Sequence, residues 1–123
     1  MITGMFIMAA TIAIGAFGAH GLKEIVDAYS LNTFEVGVRY QMYHALAIVI
    51  LGFVPIPLKL KKIVFWLFVV GILFFSGSIY LLSLNSILPF EATKIGFVTP
   101  IGGLFFIIGW IRWAYGMIKL KTI

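Results

Sequence analysis

The chain has 123 residues, of which 63% are hydrophobic and 11% are charged, and it contains no cysteine. Soluble proteins average about half apolar and a quarter charged residues, so this composition excludes a soluble domain and indicates an integral membrane protein. The lack of cysteine excludes disulfides, thiolate catalysis and thiolate metal ligands. The net charge of +5 is dispersed between apolar segments and forms no basic stripe, which argues against a nucleic-acid partner.

Four long apolar segments predict four membrane-spanning helices. A helix needs about 20 residues to cross a hydrocarbon layer of ~30 Å, so four crossings with short connections nearly exhaust the chain. We place the spans at residues 2–20, 33–54, 63–84 and 99–118. The expected fold class is an all-α membrane protein, with residues 1–123 forming a single four-transmembrane-helix bundle.

The first apolar segment is interpreted as a span. A cleaved signal peptide would have a basic n-region and a shorter apolar core than residues 2–20 provide. Small residues recur along this segment at helical spacing, and such rows let helix backbones approach closely in lipid. We therefore expect other helices to enclose the first one.

Residues 21–33 are mixed in composition and favour a short helix lying in the membrane interface. Asn32 is followed three residues later by Glu35, a spacing typical of a capping box, so the second helix is expected to begin near Thr33. Glu35 and Arg39 then have the i, i+4 spacing that favours an ion pair.

The fourth helix has a clear start signal, with Thr99 as N-cap and Pro100 at the first helical position. Three of its glycines fall seven residues apart on one face, which predicts a close-packing seam and self-association of the protein through that seam. The glycines expected to serve helix packing are Gly15, Gly18, Gly102, Gly109 and Gly116.

The charged residues predict the orientation of the bundle. With four spans, the two termini and the loop at residues 55–62 share one side of the membrane. That side holds six of the nine basic residues, whereas all four acidic residues fall on the other side. The positive-inside rule therefore predicts that both termini are cytoplasmic and that the short interfacial segments lie outside.

Polar side chains of the four helices are expected to meet in the outer half of the bundle. Polar groups that lie in lipid must find partners, so we predict one hydrogen-bonded cluster there. His44 is an ionisable residue inside a span, which makes it by default a functional candidate, together with Tyr40 one turn away. The predicted polar cluster comprises His20, Arg39, Tyr40, Gln41, Tyr43, His44, Ser76, Ser78, Tyr80 and Thr99.

Four motifs in this chain resemble one known family. They are GAFGAHGL at residues 15–22, VRYQMYHALA at residues 38–47, FSGSIYLL at residues 75–82 and TPIGGLFFIIGW at residues 99–110. The family is the YgdD/YwdK type of small bacterial inner-membrane proteins, which is related to a eukaryotic small transmembrane protein family. The resemblance implies a four-helix protein of the bacterial plasma membrane, and it implies no activity.

Two classes of function stay open from the sequence. The first is a transporter or channel whose outer polar cluster binds a small solute, a proton or a lipid headgroup. The second is a structural or partner-binding membrane subunit. A lipid-headgroup enzyme is a weaker third alternative, since the apolar parts of the spans carry no acidic residue for a Ser-His-acid arrangement. Two histidines do not make a metal site, so we expect no metal, no cofactor and no catalytic residue, with the lipid bilayer as the partner.

Overall fold

The computed structural model describes residues 1–121, which contain four long helices joined by short connections. Each of the four is long and apolar enough to cross a membrane, which confirms the predicted all-α, four-span fold. The helices are α1 (Ile2–His20), α2 (Ala28–Phe53), α3 (Leu58–Ser83) and α4 (Val98–Lys121). Single 3-10 turns occupy the connections at Leu22–Glu24, Asn85–Ile87 and Ala92–Ile95.

Each helix packs mainly against its neighbour in the sequence. The close backbone contacts join α1 to α2, α2 to α3 and α3 to α4. The apolar core lies around the α2/α3 pair, where Ile48, Val64 and Phe68 are almost completely buried. Phe106 and Trp113 of α4 join this core from one side. The α2/α3 pair is therefore the centre of the bundle, and α1 and α4 flank it.

The second helix begins earlier than the sequence predicts. Asp27 is its N-cap, and the Asp27 carboxylate accepts a 2.8 Å hydrogen bond from the backbone N–H of Ser30. This backbone hydrogen bond, assisted by the Ser30 side chain, lowers the pKa of the Asp27 carboxyl. Aspartate is as good an N-cap as asparagine, so the earlier signal starts the helix and Asn32 lies inside it. The predicted start near Thr33 is therefore wrong.

Three other local predictions from the sequence also differ from the structure. The expected interfacial helix is one 3-10 turn, Leu22–Glu24, because residues from Ala28 onward belong to α2. Within residues 1–121 the structure has no ion pair, so Glu35 and Arg39 do not form the predicted one. Thr99 lies inside α4 instead of capping it, and its hydroxyl is hydrogen-bonded to another helix.

The glycine seam of α4 faces α3 of the same chain. A Cβ atom built on Gly109 would lie 2.6 Å from the ring of Phe68, and one on Gly102 would overlap the backbone of Phe75. Because α3 already occupies this face, the prediction that the seam mediates self-association is wrong. Gly116 lies against Leu60 in the same way.

The glycines of α1 face α2. A Cβ atom on Gly18 would lie 2.8 Å from the ring of Phe34, and one on Gly15 would lie 3.3 Å from Val38. Gly4 approaches the carbonyl oxygen of Ala45 equally closely. Small residues thus let α1 lie directly against the backbone and side chains of α2.

Alanine substitutions at Gly102 and Gly77 form a matched test of the seam. The new methyl group of Gly102→Ala would meet backbone atoms, whereas nothing lies within 4 Å of a Cβ atom at Gly77. We expect Gly102→Ala to lower the free energy of unfolding in detergent micelles by about 1–3 kcal/mol, the usual cost of overpacking. Gly77→Ala should change it by less than about 0.5 kcal/mol. Equal unfolding free energies for the two variants would contradict close α3/α4 packing.

Candidate functional site

The polar side chains that form hydrogen bonds between helices fall into three separate groups. The central pair is His44 of α2 and Trp110 of α4. A second pair, Ser78 and Thr99, joins α3 to α4. The third group joins α2 to α3 and consists of Gln41, Gly37, Ser76 and Tyr80. We describe each group in turn, because they differ in how completely their hydrogen bonds are satisfied.

His44 is the best-enclosed ionisable group in the spans, with 4% of its surface exposed. Its Nδ1 lies 2.7 Å from the backbone carbonyl oxygen of Tyr40, and its Nε2 accepts a 3.0 Å hydrogen bond from the indole N–H of Trp110. A carbonyl oxygen can only accept and an indole N–H can only donate, so the proton is on Nδ1 and the ring is neutral. Both ring nitrogens of His44 are therefore already paired.

Aromatic rings surround the His44 imidazole. The ring of Phe106 stacks on it with a centroid distance of 3.5 Å and an interplanar angle of 10°. Phe68 packs edge-on from α3 at 5.1 Å, and Trp110 packs edge-on at 5.9 Å. The His44 imidazole is thus enclosed by rings on α3 and α4 and offers no open coordination or proton-transfer position.

The Ser78–Thr99 pair and Ser76 also have partners inside the bundle. The hydroxyls of Ser78 and Thr99 are hydrogen-bonded to each other, and Ser78 also donates to the carbonyl oxygen of Phe75. The Ser76 hydroxyl donates a 2.7 Å hydrogen bond to the carbonyl oxygen of Gly37. These bonds connect α3 with α4 and with α2, so they hold the helices in register.

Gln41 is different, because half of its amide has no partner. The Tyr80 hydroxyl donates a 2.6 Å hydrogen bond to Oε1 of Gln41, while Nε2 forms no hydrogen bond in the described chain. Gln41 is only 6% exposed, and no fully buried side-chain nitrogen or oxygen in residues 1–121 lacks a partner. The free Nε2 must therefore reach the small part of the Gln41 surface that is still accessible.

That accessible surface belongs to a cleft between α1 and α3. The cleft has a volume of about 450 Å³, and Gln41 of α2 lies at its floor. Gln41 and Tyr80 supply its polar groups, and the other lining residues carry no polar side-chain atom. The residues that line the cleft are Ile7, Ala10, Gln41, Val69, Ile72, Leu73, Gly77 and Tyr80.

The structure thus divides the predicted polar cluster. It brings Gln41 together with Tyr80 and Ser78 together with Thr99, and it buries Ser76 and His44. The remaining members lie on the surface, and their side chains form no hydrogen bond with these groups, although the Tyr40 ring lies against Phe75 and parallel to the His44 ring. These surface members are His20, Arg39, Tyr40 and Tyr43.

The depth of His44 and the role of Trp110 also differ from prediction. His44 lies beyond the middle of α2, at the level of Phe68, whereas the sequence places it in the outer half. Trp110 is absent from the predicted polar cluster, and the structure places it at the middle of α4 as the partner of His44. The sequence does indicate a buried role for this tryptophan, because Trp110 lies too far inside the fourth apolar segment for an interface residue.

The described chain has no evident metal site. Within residues 1–121 there is no group of three or more histidine, cysteine, aspartate or glutamate side chains that could hold a metal ion. The acidic residues Glu24, Asp27, Glu35 and Glu91 all lie in the connections or the first turns of α2. The arrangement can therefore offer hydrogen bonds and apolar surface to a ligand.

Comparison with known proteins finds one family whose members this chain matches. Residues 14–103 match the family described as "Protein of unknown function (DUF423)". That segment includes the last part of α1, all of α2 and α3, and the start of α4. No solved structure matches the chain.

Relatives cover most of the chain. A "UPF0382 membrane protein" of Haemophilus influenzae is 40% identical over 91% of this chain and 87% of its own length. The membrane protein YwdK of Bacillus subtilis is 41% identical, with 88% and 86% covered. The inner membrane protein YgdD of Escherichia coli is 36% identical, with 89% and 82% covered. These names place the relatives in membranes and give no activity.

Proposed function

Because the chain belongs to the DUF423 family of membrane proteins, whose function is unknown, we propose a function from the geometry alone. The protein binds an amphipathic small molecule that enters the α1/α3 cleft sideways from the bilayer. Gln41 holds the polar end of this molecule, and the apolar walls of the cleft hold the rest. Of the two classes of function that the sequence leaves open, this proposal corresponds to the first, the transporter-like class.

The observation that carries this proposal is the free amide end of Gln41. A polar group that is unpaired in an apolar environment costs up to a few kcal/mol, and most such groups in proteins are paired. Neighbouring polar groups in this bundle are paired, including Ser76 and Tyr80. A ligand atom that accepts a hydrogen bond from Gln41 Nε2 would remove this cost.

The lining of the cleft defines the chemistry of the ligand. No charged side chain lines it, so an ion would lose its hydration without gaining an opposite charge. The ligand is therefore neutral at the end that reaches Gln41, with a carbonyl, ester or hydroxyl oxygen there. Its remaining part is apolar, because Val69, Ile72 and Leu73 form the α3 wall.

The proposed activity is binding rather than catalysis. His44 is the one histidine inside the helical core of the described chain, and both of its ring nitrogens are engaged by Tyr40 and Trp110. The acidic residues lie outside the apolar parts of the spans. No nucleophile, base and acid therefore meet in the cleft, which supports a protein that is not an enzyme.

A second candidate function is a structural or partner-binding subunit, including association with a second copy of the chain. The observation that favours it is the exposure of α1, since Ile2, Phe6 and Ile12 are 66%, 74% and 67% exposed. In this alternative, another membrane helix would cover α1 and fill the cleft.

A cleft-filling variant separates the two candidates. Nothing lies within 4 Å of a Cβ atom at Gly77, so Gly77→Leu would fill the cleft without displacing α3. We expect the wild-type protein to retain a small molecule on purification in mild detergent, and Gly77→Leu and Gln41→Leu to lose it. Mass spectrometry of extracts from equal amounts of folded protein measures the occupancy.

Ala114→Leu is the matched control, because it introduces the same side chain on the exposed face of α4. It should retain the molecule at the wild-type level. Equal occupancy in Gly77→Leu and Ala114→Leu would contradict the cleft as the site. A wild-type protein without any bound molecule would favour the structural subunit instead.

We further propose that the protein lies in the bacterial plasma membrane with both termini cytoplasmic. The support is the charge asymmetry: the start of α3 and the C-terminal part of α4 carry six of the nine basic residues, and all four acidic residues lie at the opposite end of the bundle. The printed name of the Escherichia coli relative, an inner membrane protein, agrees with this.

Reporter fusions test the orientation. We expect a cytoplasmic reporter to be active when fused after residue 121, and a periplasmic reporter to be active when inserted between Asn85 and Glu91. Activity of the cytoplasmic reporter at both positions would contradict the proposed orientation.

A further inference from the structure

We propose a second binding site, independent of the α1/α3 cleft, for the phosphate of an anionic phospholipid headgroup. The site is a cavity of about 290 Å³ between the beginning of α3 and the end of α4. Three cationic side chains line it, together with apolar residues. The lining residues are Pro57, Lys59, Leu60, Arg112, Gly116, Lys119 and Leu120.

In the part of the chain that the structure describes, no acidic side chain neutralises the positive charge of this cavity. The four acidic residues lie at the opposite end of the bundle, in the first turns of α2 and in the two connections there. Within residues 1–121, the side chains of Lys59 and Arg112 have no hydrogen bond or ion pair, and the Lys119 side chain has only a cation–π contact with Tyr115 at 5.0 Å. Three cations that converge without a counter-charge favour an anionic ligand.

Lys61 lies at the same end of the bundle as Lys59 but has a structural role. Its Nζ donates a 2.9 Å hydrogen bond to the backbone carbonyl oxygen of Gly52, near the end of α2. Lys61 therefore completes the end of a helix. Lys59 is on the other side of α3 and contributes to the cavity instead.

The first turn of α3 adds further donors on the same side. Pro57 is its N-cap, no side chain caps the helix, and no acidic residue lies in its first turn. The backbone N–H groups of Lys59 and Leu60 precede the first hydrogen bond of the helix, which Lys61 N–H makes to Pro57. Free N–H groups at a helix N-terminus attract phosphate, so they reinforce the three cationic side chains.

The surroundings of the cavity favour a lipid phosphate over a free one. Its wall is formed by Leu60 and Leu120, and the α4 residue Tyr115 is 52% exposed one turn away. Exposed tyrosines of this kind are typical of the membrane interface, where headgroups lie. A cavity at this level with a cationic lining and an apolar wall fits a phosphodiester whose acyl chains continue along the helices.

Lipid titration followed by native mass spectrometry tests this site. The probes are phosphatidylglycerol and phosphatidylcholine with identical acyl chains, added to delipidated protein in a nonionic detergent. We expect tighter binding of phosphatidylglycerol, and an increase of its Kd by about tenfold or more in the variant Lys59→Gln/Arg112→Gln. The single variant Lys59→Gln, which changes an exposed side chain, should increase it by about threefold.

A charge-matched control distinguishes the cavity from general surface charge. Lys62→Gln/Lys121→Gln removes two positive charges from the same end of the bundle and changes no residue that lines the cavity. We expect it to alter the Kd of phosphatidylglycerol by less than about threefold. Equal losses in the two double variants, or equal wild-type affinity for the two lipids, would overturn the proposal.

Competition with inorganic phosphate distinguishes the two sources of the anion. At constant ionic strength, millimolar inorganic phosphate should leave phosphatidylglycerol bound, because free phosphate lacks the apolar contacts with Leu60 and Leu120. Displacement of the lipid by phosphate would overturn the assignment to a lipid headgroup. Identical circular dichroism spectra and melting curves for the variants establish that each one is folded.

Discussion

The hydrogen bond from the Trp110 indole to His44 joins two helices whose backbones do not pack closely on each other. The backbone of α4 lies against α3, so α4 reaches α2 mainly through side chains. His44 and Trp110 form the polar part of this connection, and the stacked ring of Phe106 forms the apolar part. In lipid, either partner alone would leave a buried polar group unpaired. This pair therefore connects α4 to α2, while the glycine seam holds α4 against α3.

The same constraint explains how the other polar groups are arranged. Without water in the hydrocarbon layer, each polar side chain pairs with the nearest backbone carbonyl or side chain, as Ser76 does with Gly37. These pairs stabilise the bundle and leave little polar surface for a solute. Gln41 is the exception, because one end of its amide faces the cleft that α1 leaves beside α3. The two proposed sites follow from this contrast: one is an unpaired amide inside the bundle, and the other is unpaired positive charge at its end.

Hydropathy and segment length are sufficient to predict the four helices, because a lipid environment requires long apolar helices whatever their side chains contact. They do not determine which residues of a helix face each other. Gln41 and Tyr80 were predicted as members of one cluster with His44, but His44 packs toward α4 while Gln41 points to the α1 side. Trp110 was missed because tryptophans in spans are typical of the interface. The start of α2 was missed because Asp27 and Asn32 are equally good N-caps, and only the fold distinguishes them.

The most direct test of this account is the protonation state of the His44 ring, observed by ¹⁵N NMR on protein labelled at histidine and tryptophan in lipid nanodiscs. The account predicts a neutral ring with the proton on Nδ1, together with a scalar coupling across the hydrogen bond between Trp110 Nε1 and His44 Nε2. The Trp110→Phe variant should lose the coupling and shift the His44 Nε2 signal, and it should leave the signals of His20 unchanged. A proton on Nε2, or a doubly protonated ring, would contradict the account, because Nε2 could then no longer accept the indole hydrogen bond that connects α4 to α2.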